Sequence, residues 1–62
     1  MQVWAVYDED AMELIYASPD KHKVVNRLLT EYNGRFGEEA LTVEEVEESG
    51  YYRMYGPVTI DM

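Results

Sequence analysis

The stretch QVWAVY, Gln2 to Tyr7, is apolar on both of its alternating sides, with Val3, Ala5 and Tyr7 on one and Trp4 and Val6 on the other. β-Branched and aromatic residues at this density favour a strand, and apolar residues on both sides favour a central strand with neighbours at each edge. The remainder of a 62-residue chain has to be arranged around it. Asp8, Glu9 and Asp10 form a polar break, after which MELIYA, Met12 to Ala17, reads as a second strand returning in a hairpin.

The segment SPDKHKVVNRLLTEYNG predicts a helix from Pro19 to about Tyr32. Ser18 suits the N-cap, Pro19 the first helical position, and Asp20 complements the positive end of the helix dipole. Val24, Val25, Leu28, Leu29 and Tyr32 make one apolar stripe, and Asn33 with Gly34 reads as a stop. Lys21, His22, Lys23 and Arg27 lie off that stripe and hold most of the positive charge.

The stretch TVEEVEESG admits two readings. As a helix, Thr42 caps it, Glu45 completes a Thr-x-x-Glu capping box, Val43 and Val46 share a face, and Gly50 ends it. As a strand over Leu41 to Glu47, its alternation slips at Glu44 and Glu45, as at a β-bulge. We favour the strand, because a hairpin alone is marginal and a third strand beside the first would explain why Gln2 to Tyr7 is apolar on both sides. The segment from Tyr51 to Ile60 then supplies a fourth strand or a tail, with Gly56 and Pro57 turning the chain. The expected fold is α+β: a single domain over residues 1–62 with an antiparallel sheet ordered 3-1-2 and one helix on one face.

One helix covers one face, so the other calls for the tail, a second copy of the chain, or a different partner. Small folds are commonly reinforced by disulfides, a structural metal or oligomerisation; with no cysteine and His22 as the single histidine, oligomerisation is the route left, and a homodimer is an expectation. Hydrophobic residues at 47 % and aromatics at 13 % argue against disorder.

The arrangement of VWAVYDED, ELIYASPDKHKVVNRLLTEY and LTVEEVE resembles small uncharacterised proteins of bacteriophages and prophages. The resemblance covers about Gln2 to Glu48, implies a non-enzymatic accessory protein acting on a bacterial host factor, and carries over no functional residue.

Thirteen acidic against five basic residues give a net charge of −8, which repels nucleic-acid backbones and anionic membrane surfaces. No apolar run approaches the roughly 18 residues of a spanning helix, and MQVWAVYDED lacks the charged start and cleavage site of a signal peptide, so a cytoplasmic location is expected. The residue types do not assemble a metal, cofactor or catalytic motif. A zinc site wants about four Cys, His or carboxylate ligands, Asp8 and Asp10 lack the rest of an EF-hand, and Ser18, Asp20 and His22 lie too close together for a triad. A non-enzymatic protein-binding role follows.

Two groups are candidates for a partner surface. Glu44, Glu45, Glu47 and Glu48, with Glu38, Glu39, Asp8 and Asp10, offer negative charge to a basic surface, in the extreme as a DNA mimic inhibiting a DNA-binding protein. Tyr51, Tyr52, Arg53 and Tyr55 concentrate the residue types enriched at binding hot spots. Each has an ordinary alternative: the glutamates as a solvated edge that keeps the chain soluble, the tyrosines as packing on the open side of the sheet.

Overall fold

The computed structural model describes residues 1–61. The two-sided apolar stretch forms the middle strand, β1 (Gln2–Asp8). β2 (Glu13–Ser18) returns antiparallel along one edge and β3 (Tyr52–Thr59) lies antiparallel along the other, giving the order β2-β1-β3. Between β2 and β3 the chain forms α1 (Lys21–Phe36) and the short α2 (Val43–Glu48). This is an α+β domain with a helix packed against a three-stranded antiparallel sheet. Among the described residues no helix is long and apolar enough to cross a membrane.

The expected third strand over residues 41–47 is a helix. Thr42 is its N-cap, with Oγ1 accepting from the Glu45 amide at 3.3 Å, and the Glu45 carboxylate reaches back to the Leu41 amide at 3.4 Å. Val43 and Val46, three apart, then point the same way, and Val46 is fully buried. The local capping signals prevail because the position beside β1 is taken by β3, whose pairing runs from Asp8 opposite Tyr52 to Gln2 opposite Thr59. The tail is thus the third strand rather than a fourth, and it runs straight through Gly56 and Pro57 instead of turning there. Between Tyr55 and Val58 it carries extra backbone against Trp4, a β-bulge. Gly56 sits there at φ +128, where a Cβ would come within 2.8 Å of the Trp4 ring.

The helix α1 starts later and ends later than its sequence signals suggest. Asp20 is the N-cap, its carboxylate accepting from the amides of His22 and Lys23, while the Ser18 hydroxyl accepts from the Asp20 amide at 3.0 Å and shapes the approach. Asn33 and Gly34 do not stop it. The Asn33 side chain instead bridges the loop that follows, donating to the Ala40 carbonyl at 3.1 Å and accepting from the Ala40 amide at 2.9 Å. The helix ends at Gly37, whose left-handed φ of 64 suits a residue without a Cβ.

The core lies between the helices and one face of the sheet: Val6 from β1, Val24 and Leu28 from α1, Ala40 from the loop, Val46 from α2 and Tyr52 from β3. Trp4, Ile15, Tyr16, Leu29, Tyr32, Val43 and Met54 pack around it. The Asn33 bridge holds Ala40 in this core and with it the start of α2. Replacing Asn33 with Ala leaves two backbone groups of Ala40 without their partner, so we expect a loss of about 1–3 kcal/mol, read as a lower urea midpoint with an unchanged slope.

Candidate functional site

The acidic run is divided by the helical period. Glu44, Glu45 and Glu48 project into solvent from α2. Glu47 is half-buried, and its carboxylate accepts from the Met54 amide at 3.1 Å, occupying a backbone donor on the outer edge of β3. Glu38, Glu39 and Glu45 line a shallow hollow of about 260 Å³ with Tyr32 and Ala40. Among the described residues no group of three or more histidines or carboxylates is placed to hold a metal ion.

Asp8 and Asp10 do not join this acidic surface. Asp8 is buried; one carboxylate oxygen accepts from the amides of Asp10 and Ala11, both at 2.9 Å, and the other lies 3.7 Å from the Arg35 guanidinium. Asp10 meets the same guanidinium at 2.8 Å. Arg35 also lies over the rings of Phe36, Tyr51 and Tyr52 at 5.0, 5.3 and 5.8 Å, which fastens the β1–β2 turn to the end of α1 and the start of β3. The Asp10 and Tyr52 contacts raise the Arg35 pKa further above its ordinary range.

The aromatic run is divided by strand alternation. Tyr52, expected as a partner anchor, is only 3 % exposed and belongs to the core, with its ring edge-on to Tyr32 and its hydroxyl 3.4 Å from Arg35. Tyr51 precedes the strand and lies against Phe36, ring centres 4.7 Å apart. Arg53 and Tyr55 point to the other side of the sheet, away from the helices.

No helix lies over that side of the sheet among the described residues. Pairing places Leu14 and Arg53 beside Tyr7, Ala17 and Tyr55 beside Ala5, and Val58 beside Val3. Leu14 is 59 % exposed, Val58 50 % and Tyr55 45 %. The Tyr7 and Tyr55 rings meet edge to face at 6.0 Å. Glu9 accepts from the Tyr55 hydroxyl at 2.9 Å and stands 3.5 Å from the Arg53 Nε. The face therefore presents tyrosine and arginine, the residue types frequent at hot spots, within an aliphatic surround.

Val3, Ala5 and Tyr7 were legible as one side of a strand, but Leu14 and Val58 were not. A bulge at Ile15 shifts the register of β2, and the bulge near Gly56 shifts that of β3, so their sides cannot be counted from the sequence alone.

Comparison with protein-family models, curated proteins and solved structures found no match to this chain.

The hydrogen bond to Glu9 raises the Tyr55 pKa above its ordinary value of 10.0, since ionising the phenol removes the donated proton and brings a second negative charge beside the carboxylate. Its contribution to folding is fully present below the unfolded value and is lost as pH rises through the elevated folded value. Ultraviolet titration should show one tyrosine ionising late, and Glu9→Ala should return it towards the ordinary range.

Proposed function

We propose that this protein is a small non-enzymatic binding module that receives another protein surface on the open face of its sheet. The observation that carries this reading is the exposure of Leu14, Tyr55 and Val58 along one sheet face that also holds Tyr7 and Arg53, in a chain with thirteen acidic residues. Such a patch exposes apolar area to water when free and releases that water on binding. Tyr7, Arg53 and Tyr55 act as anchors, and the aliphatic residues exclude solvent around them. The resemblance to phage and prophage accessory proteins makes a bacterial host protein, met in the cytoplasm, the partner to seek.

The test is capture with an immobilised chain and with a variant carrying Leu14→Asp and Val58→Asp. Both positions are already half exposed or more, so the variant should keep its helical and strand signature while losing the retained protein. Retention of the same proteins by both chains overturns the reading.

A second reading is favoured by Glu38, Glu39 and Glu45 around one hollow, with Glu44 and Glu48 exposed on the adjoining α2. These carboxylates suit a basic partner, including a DNA-binding protein. A complex formed there should weaken steeply with salt, be competed by DNA and be lost on Glu44→Lys with Glu48→Lys, whereas one formed on the open face should withstand salt.

A further inference from the structure

We propose that the open sheet face is covered by the same face of a second copy of this chain, in a two-fold dimer of stacked sheets. The inference rests on the binding reading above: the second copy covers the same face while no other partner holds it. The net charge is −8, yet among the described residues the charged side chains placed on the face are Arg53 and Glu9, which stand 3.5 Å apart and offset one another. The exposed glutamates of 38–48 belong to the helix side. Stacked sheets lie about 10 Å apart, with a further helix layer of about 10 Å behind each. Two copies joined by their open faces thus hold their acidic layers roughly 30 Å apart, several times the screening length of about 8 Å at physiological salt. A neutral apolar face is complementary to itself, and a partner chosen for basic charge would find its match at the α2 end instead.

The edges of the sheet do not offer the same opportunity. The outer edge of β3 is blunted by the Glu47 carboxylate on the Met54 amide, by its bulge, and by Pro57, which has no N–H to donate. The bulge at Ile15 interrupts β2. Both are devices that discourage edge pairing, and no comparable device guards the face.

The area sets the strength. Three strands about 4.8 Å apart, rising about 3.4 Å per residue, present on the order of 300 Å² in projection. Even if side-chain relief doubles it, that falls short of the roughly 800 Å² of accessible surface per partner in a standard interface, which places the dimer in the weak, reversible class. The contact excludes water from Leu14, Tyr55 and Val58, and Arg53 is its most sensitive point, because Arg53→Glu sets two like charges on each face and four across the contact.

Sedimentation velocity of the intact chain from about 10 μM to about 1 mM tests this, at low salt and near 0.5 M. We expect a dimer fraction that rises with concentration and rises again with salt, as repulsion between the acidic chains is screened. Arg53→Glu should weaken the dimer about tenfold or more, Leu14→Asp with Val58→Asp likewise, and Glu44→Lys on the helix side should leave it intact. Unchanged urea midpoints would show that these variants fold, and the salt response of the unaltered chain needs no variant. A dimer that dissociates with salt, or that survives the face substitutions, overturns the proposal. A monomer at every concentration also overturns it: with face-dependent capture of another protein the binding reading stands, and without such capture both fall.

Discussion

One helix of 16 residues, about 24 Å long, can screen one side of a three-stranded sheet and no more, and the rest of this structure follows from that shortage. On β1, Trp4, Val6 and Asp8 lie on the helix side, with Val6 wholly buried, while Val3, Ala5 and Tyr7 face away and stay partly exposed. α2 enlarges the covered side by adding Val46, and the Asn33 bridge to Ala40 sets its position. Nothing in the described chain adds to the other side. The fold is an asymmetric sandwich with one filling.

Charge is distributed to match. Each of the three arginines is satisfied by carboxylates of the same chain: Arg27 by Glu31 at 2.7 Å, Arg35 by Asp8 and Asp10, Arg53 by Glu9. These pairs tie one turn of α1 to the next, the β1–β2 turn to α1, and β3 to the end of β1. The exposed pairs among these contribute little stability individually, roughly 0–1 kcal/mol, but all of them decide where uncompensated charge remains. Beyond these pairs, the glutamates of 38–48 lie on the helix side around α2, Lys21 and Lys23 lie in the first turn of α1, and the open face is nearly neutral. The two candidate surfaces are thus physically distinct, one apolar and one electrostatic.

The candidate site was partly legible from residues. Tyr51 to Tyr55 stood out as a concentration of tyrosine and arginine, and Arg53 and Tyr55 do lie on an exposed face. Tyr52 does not, because strand alternation sends it inward to Tyr32 and Leu28 on the core side. Glu47 similarly leaves the acidic run to bond the Met54 amide, a contact between residues seven apart that no local pattern announces. Tyr7 and Glu9 complete the Arg53 and Tyr55 cluster from 46 positions away in the case of Glu9 and Tyr55, which only pairing of β1 with β3 could bring together.

By itself the sequence determined the central strand, the hairpin, the existence of α1 and the conclusion that one sheet face would want a cover, since these depend on periodicity and turn chemistry within a few residues. It also held both readings of 42–49, including the capping box of the helical one. Tertiary structure alone settled which reading applies, because a segment beside β1 is a strand only if no better-matched strand takes that edge, and Tyr52–Thr59 does. It likewise decided the composition of the open face, because each bulge moves the residues beyond it to the opposite side of the sheet. A register is a relation between strands, and no single strand contains it.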